Sequence, residues 1–259
     1  MKQFMLTLIC MQCILTLYAQ PLLSPLGRDA GNYSYHFHDV YSANMHPAAL
    51  PLLPGLSAGI YSERRFMLKD ISLYMAMLGI PAGMGAFGLM VARFGNPLYY
   101  RQQVSGAYGH RIGHNVSTGL QFSYMSQAVQ GYGTASALSV TGGTLGRLWQ
   151  HVYAGLLIRY TQLLPLLYSG GVGIEASKDC LFSAGFETGG GMVTTGSVNM
   201  QYRIASRLGL RLGITTMPGY CHAGFALQLH TLHIAVGTGF HPQLGFTPST
   251  TIIWQQQEK

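Results

Sequence analysis

Apolar and polar residues alternate with a period of two in one segment of this chain after another. Val116, Thr118, Leu120, Phe122 and Tyr124 lie on one side, with Ser117, Gly119, Gln121, Ser123 and Gln127 on the other. Val152, Ala154, Leu156, Ile158 and Tyr160 oppose His151, Tyr153, Gly155 and Arg159. The pattern recurs where Val198, Met200, Tyr202 and Ile204 oppose Ser197, Asn199, Gln201 and Arg203. It recurs again where Leu208, Leu210, Leu212 and Ile214 oppose Gly209, Arg211, Gly213 and Thr215. A period of two is a strand. A soluble β-sandwich alternates too, but it sets charge on its outer face. Only 9% of these residues are charged and 48% are hydrophobic, against about 25% charged in an average soluble domain. Disorder is excluded for the same reason, since disordered chains are rich in charge and poor in apolar residues. Lipid offers the backbone no hydrogen-bond partner, so only helices or closed barrels span it. Charge-poor strands of about ten residues, apolar on one side, predict a transmembrane antiparallel β-barrel.

The rival helix runs from Ile71 to Ala92, without a charge, between Asp70 and Arg93. Pro81 sits in its middle, among Gly79, Gly83, Gly85 and Gly88, and Leu78 to Gly83 reads as a turn between two strands. Strands are expected at 56–64, 69–78, 84–94, 99–110, 115–127, 133–142, 148–160, 170–177, 180–188, 195–205, 207–217, 221–229, 231–240 and 246–254. That makes fourteen, or twelve if the 170–188 region is shorter. The connections are then tight, as in the hairpin from Ile174 to Leu181. Tyr99, Tyr100, Trp149, Tyr160, Tyr168, Tyr220 and Trp254 fall near segment ends, where barrels carry aromatic girdles.

Residues 1–20 have the layout of a cleaved secretory signal: a cationic start, an apolar core from Phe4 to Leu17, and Ala19 near the cut. Ile9 before Cys10 and Gln12 before Cys13 suit a lipoprotein signal badly. Export to the outer membrane is therefore expected. Residues 21–54 do not alternate, and Pro21, Pro25, Pro47, Pro51 and Pro54 forbid central-strand pairing. They are too apolar for a free tail and are expected to plug the barrel formed by 55–259. Cys180 and Cys221 lack metal-ligand spacing, and spacing alone does not pair them.

The net charge of +7 comes from cations scattered singly, with no stripe for nucleic acid. His36 and His38 are a pair of imidazoles, not a metal site, and no metal or cofactor is expected. His110, His114, His151, His230 and His233 have Ser105, Ser117 and Ser139 near in sequence, but no Gly-x-Ser-x-Gly elbow or Ser/His/acid convergence. Catalysis is not expected. Gln121, His151, Arg159, Asn199, Arg203 and Arg211 fall on the lumen side as polar or ligand candidates. Glu63, Glu175 and Glu187 are the expected counter-charges for the arginines. Such a set is either a structural ion-pair ladder or a cationic constriction for the carboxylate head of an amphiphile.

Tyr41 to Leu50, containing Asn44 and His46-Pro47-Ala48-Ala49-Leu50, is followed by Gly59-Ile60-Tyr61-Ser62-Glu63-Arg64-Arg65-Phe66. This stretch resembles the start of the long-chain fatty-acid-transporter-like outer-membrane barrels, most of all their PorV/PorQ-like relatives, the accessory barrels of type IX secretion. The resemblance implies fourteen strands and a hatch motif at Asn44, His46, Pro47, Ala48, Ala49 and Leu50, with His46 standing where that family has Asn. It covers residues 41–66. It also implies a partner-binding barrel serving protein secretion or surface attachment, with secretion-system or cargo proteins as partners. Passive transport of hydrophobic or amphipathic small molecules is the second reading, and an outer-membrane lipid-modifying enzyme the third.

Overall fold

A computed structural model of the protein describes residues 31–162, 164–189, 193–216 and 219–256. The expected signal peptide lies outside these residues. Fourteen strands, each antiparallel to its neighbours, form one closed barrel in which β1 pairs with β14. They are β1 (Ser57–Arg64), β2 (Ser72–Ala82), β3 (Gly85–Gly95), β4 (Tyr99–Ile112), β5 (Val116–Val129), β6 (Gly133–Trp149) and β7 (Val152–Thr161). The second half is β8 (Leu167–Ser177), β9 (Cys180–Gly189), β10 (Thr195–Ala205), β11 (Leu208–Thr215), β12 (Tyr220–Leu229), β13 (Leu232–His241) and β14 (Gly245–Gln255). Among the described residues no helix is long and apolar enough to cross a membrane. The uncharged run from Ile71 is instead β2 and β3.

The alternation sorts side chains as lipid requires. On β5, Val116, Leu120, Phe122 and Tyr124 are exposed, whereas Ser117, Gln121 and Ser123 are buried toward the lumen. Leu156 and Ile158 on β7, Val198 and Ile204 on β10, and Phe225 on β12 likewise face outward. In water each such side chain would forfeit roughly 1.5–3 kcal/mol of burial. In a bilayer this belt is the favoured surface.

One expectation needs correction here. The turn proposed for Leu78 to Gly83 lies further on, at 83–84, because β2 runs through Pro81 to Ala82. Pro81 is tolerated because β1 pairs no further along β2 than Gly79, so no ladder bond is lost on that side. Cys180 and Cys221 are free thiols on β9 and β12, with two strands between them.

Connections at one end of the barrel are minimal: 83–84, 113–115, 150–151, 178–179, 206–207 and 230–231. Those at the other end include 65–71, 162–166, 190–194 and 216–219. Barrels of this type keep short turns on the periplasmic side and longer ones outside, which orients the molecule.

Fourteen strands enclose more space than wall side chains fill. The space is taken in part by residues 31–54, which lie inside the periplasmic half, against the wall from β1 to β9. A helical turn at Ser42–Met45 leads into a 3-10 stretch at Pro47–Leu52, with Pro47, Ala48, Ala49 and Leu50 buried. Val40, Tyr41, Leu50 and Leu53 join Tyr61, Leu73, Met75, Met77 and Met90 of β1–β3 in one apolar cluster. The close approach needs a wall without side chains. A Cβ on Gly173 would overlap the carbonyl oxygen of Tyr33, and one on Gly119 would overlap the backbone of Pro47 and Ala48. Gly173→Leu should therefore leave a closed barrel but expel the segment, costing about 1–3 kcal/mol. Limited proteolysis of 31–54 in the folded protein measures this. Gly106→Ala, where a Cβ meets nothing, should leave the cleavage pattern unchanged.

Candidate functional site

The segment inside the barrel carries backbone groups that must find partners away from water, and the wall supplies them. Glu175 on β8 is the main anchor. Its Oε1 accepts from Ser34 Oγ at 2.7 Å, from the Tyr35 N–H at 2.8 Å and from the His36 N–H at 3.1 Å. Its Oε2 meets His36 Nδ1 at 2.6 Å. A buried carboxylate surrounded by donors in this way is satisfied rather than stranded. Further along, Ser117 Oγ donates to the Ala48 carbonyl at 2.7 Å, and Arg111 Nη2 donates to that of Pro51 at 3.1 Å.

His46 caps the helical turn, its N–H bonding the Ser42 carbonyl. Its ring is buried against Gly143 and Gly155, with the edge of Tyr33 at 6.2 Å between centroids. Neither ring nitrogen has a hydrogen-bond partner among the described residues. Burial pushes the imidazole down to a pKa of about 4, so it is held neutral. His38, whose ring nitrogens are buried, is shifted the same way by burial.

The segment touches the wall formed by β10–β14 at few points: Asp39 meets Arg211, Phe37 lies 5.9 Å from the Arg203 guanidinium, and Ile253 joins the cluster of Val40 and Tyr41. A cavity of about 230 Å³ remains there, toward the periplasmic mouth, between His36, His38 and Asp39 on one side and Arg203, Arg207, Arg211 and His233 on the other. A narrower space of about 40 Å³ extends from it past His222, Gly224, Gly237 and Ser249. Arg211, Ala235 and Thr251 line both spaces, so they adjoin. At the junction Arg211 Nη2 lies 3.5 Å from Asp39 Oδ2. The other Asp39 oxygen caps the helical turn, accepting from the N–H groups of Tyr41 and Ser42. Asp39 thus ties the segment's own fold to an ion pair with the open wall.

The outer end of this wall is covered by Phe66. The connection 65–71 folds inward, and the Phe66 N–H donates to Thr247 Oγ1 at 3.1 Å. The Phe66 ring lies 6.5 Å from Tyr220 and 6.1 Å from His241. Phe66 and Met67 both hold left-handed backbone angles, φ 55° and 60°, a conformation that costs non-glycine residues about 1–3 kcal/mol each. Glu63 pins the loop from below, accepting from Tyr61 Oη at 2.5 Å and from Arg65 Nε at 2.7 Å.

The sequence-derived candidates are dispersed. Arg203 and Arg211 line the cavity. Asn199 is buried beside His222, just above it, and its Oδ1 has no partner among the described residues. Gln121 is buried on the opposite wall, next to Ser123. Arg159 is on that wall too, its Nε donating to Thr141 Oγ1 at 3.3 Å. His151 is not in the lumen: it lies exposed in the turn 150–151, because the alternation was extended one residue before β7 begins. In the 42–50 stretch, Asn44 is on the helical turn and His46, Pro47, Ala48, Ala49 and Leu50 are buried. Among the described residues neither Arg203 nor Arg211 meets a glutamate, so the ladder reading gains no ion pair from them. Arg203 Nη1 meets Asp179 at 3.4 Å, Arg211 meets Asp39, and Glu175 and Glu63 serve the segment and the 65–71 connection. The hydroxyls of Ser105, Ser117 and Ser139 bond Ser123, Ala48 and Thr161, and none meets a histidine. No group of three metal-ligating side chains occurs among the described residues.

No protein-family model and no curated protein matches the sequence. Solved structures share the fold. The CymD monoaromatic hydrocarbon channel superimposes with a TM-score of 0.69 at 10% identity, over 93% of this chain and all of CymD. The Pseudomonas putida toluene transporter TodX gives 0.67 at 9% identity, over 89% of this chain and 96% of its own. A Pseudomonas aeruginosa FadL homologue gives 0.62 at 10%, over 91% and 99%. The likeness is to the fatty-acid-transporter type of barrel. The secretion-partner reading drawn from the PorV/PorQ-like resemblance is corrected by it, since the structures that share the fold are hydrocarbon channels and a FadL homologue. The physical reason is visible in the motif. His46 to Leu50 packs as a compact turn under glycine-lined strands inside this barrel, so its residue types answer to packing within the lumen and not to a protein partner.

Docking of the segment should depend on pH. His46 takes up a proton near pH 6.5 when free and only near pH 4 when docked, so docking is strongest above pH 6.5 and weakens as pH falls toward 4. The loss is about 3 kcal/mol when complete, and His38 adds to it with the same sign. Protease protection of 31–54, followed between pH 7 and 4, reads this directly. In His46→Asn most of that slope should be gone.

Proposed function

We propose that this chain is a passive outer-membrane conduit for small hydrophobic or amphipathic molecules. The observation that carries the reading is the asymmetry of the lumen. The segment 31–54 blocks the side from β1 to β9 as a plug, and the passage runs down the other side, along a wall of small residues: Gly224, Ala235, Gly237, Ser249 and Thr251. The route begins under the rings of Phe66, Tyr220 and His241. It continues past glycine and alanine, narrows at the Arg211–Asp39 pair, and opens into the cavity beside Arg203 and Arg207. An aromatic entrance favours apolar solutes, and the guanidinium groups offer a foothold for an anionic head. The hydrocarbon channels that share the fold support this class of solute. The space is too small for a wide aqueous pore. Export through a cleaved signal in residues 1–20 is part of the same reading.

Proteoliposome uptake of a small hydrophobic probe, such as radiolabelled toluene, tests it. Ala235→Phe places a ring at the junction of the two spaces and should cut uptake about tenfold, as a barrier increase of about 1.4 kcal/mol would. Gln121→Leu, on the blocked side, should not. Uptake at the wild-type rate through a correctly folded Ala235→Phe barrel would contradict the route.

A further inference from the structure

The lipid-facing wall has a groove that passage through the lumen does not use. Where β14, β1, β2 and β3 run side by side, the outward side chains are small in the middle and bulky around it. Ser62 is in register with Thr250 on one side and Tyr74 on the other, and Ala76 lies between Ile60 and Val91. Ser62, Ala76 and Thr250 leave a hollow of about 400 Å³ edged by Ile60, Tyr74 and Ile252. It lies in the half of the wall nearer the longer connections, the outer leaflet in the orientation above.

Arg93 borders the same hollow, in register with Tyr74, its guanidinium 5.2 Å from the Tyr100 ring centroid. Arg64 ends β1 two residues beyond Ser62 and is also exposed on the outer face. Neither arginine forms an ion pair among the described residues. An arginine on the lipid side costs about 2–4 kcal/mol at the midplane and little near the interface. These two sit toward the interface, over an apolar groove, and have nothing anionic to meet on the protein.

We propose that the groove binds one acylated, phosphorylated lipid of the outer leaflet. An acyl chain lies over Ser62, Ala76 and Thr250, and the phosphate accepts from Arg93 and Arg64. The planar guanidinium fork suits a phosphate, and the two charges lie where a headgroup would lie. The site is independent of whether the lumen conducts.

The test uses the full chain in mild detergent, mixed with bis-phosphorylated lipid A or with the same lipid dephosphorylated. Native mass spectrometry counts retained lipid. One lipid A per barrel is expected, with little retention of the dephosphorylated form. Arg93→Glu should weaken retention about tenfold, the loss of one charge-assisted contact. Arg93→Lys should keep most of it. Ala76→Phe, which fills the floor and leaves the charges, should abolish it. The gel mobility of each variant with and without boiling confirms that the barrel has formed. Retention that ignores the phosphate, or that survives both Arg93→Glu and Ala76→Phe in closed barrels, would overturn the proposal. So would retention of zwitterionic phospholipid alone.

Discussion

A backbone crossing lipid has no solvent to take up an unmade hydrogen bond. Every other property of this molecule follows from that constraint. The sheet must close, and it does so through the register of β1 with β14, in which Gly59 faces Ile253 and Tyr61 faces Thr251. Closure with fourteen strands leaves an interior that side chains alone do not fill. The N-terminal segment enters that interior, where its own backbone meets the same shortage of partners. Glu175, Ser117 and Arg111 answer it. The inward face therefore carries two opposite features: glycine where the segment presses on the wall, and hydrogen-bonding side chains where its polar groups need an end point.

The filling is one-sided, and the one-sidedness is what suggests a function. Apolar packing of Val40, Leu50 and Leu53 against β1–β3 and Ile253 of β14 draws the segment to one side of the lumen. Across the gap Arg211 pairs with Asp39 at 3.5 Å, with both side chains partly accessible. A pair of that kind is worth little in stability, about 0–1 kcal/mol. It is better placed to set the width and charge of a passage than to hold the segment down. The strained Phe66–Met67 backbone at the outer mouth has the same character: a local cost sustained by the Glu63 contacts below it.

Much of the architecture was legible before any coordinates, because lipid enforces a pattern that few other environments impose. The expected strand 195–205 matches β10, and the lumen and lipid faces of β5, β7, β10 and β11 are as the alternation implied. Where the pattern misled, a local signal was stronger than its true weight. The strand expected at 133–142 ends too early, since β6 continues to Trp149, and Pro81 read as part of a turn, but it lies beyond the reach of β1. The candidate site was less legible. Arg203 and Arg211 were found by face alone; the partner of Arg203 is Asp179 in the turn between β8 and β9, and the partner of Arg211, Asp39, depends on how a segment distant in sequence crosses the lumen. The spacing of Asp39 three residues before Ser42 is a helix-capping signal that would have drawn attention to Asp39. Nothing local marks Phe66 as reaching Tyr220 and His241.

The central claim is that the lumen is blocked on one side and open on the other. Thiol labelling along the inner wall tests it most directly. In a chain with its native cysteines changed to serine, Ser249→Cys places a thiol on the open wall, and Ser117→Cys places one under the Ala48 carbonyl. With folded barrels in liposomes and a small water-soluble thiol reagent, the account predicts fast labelling at position 249 and protection at 117. Equal labelling at both positions, or protection at 249 with reaction at 117, would contradict it.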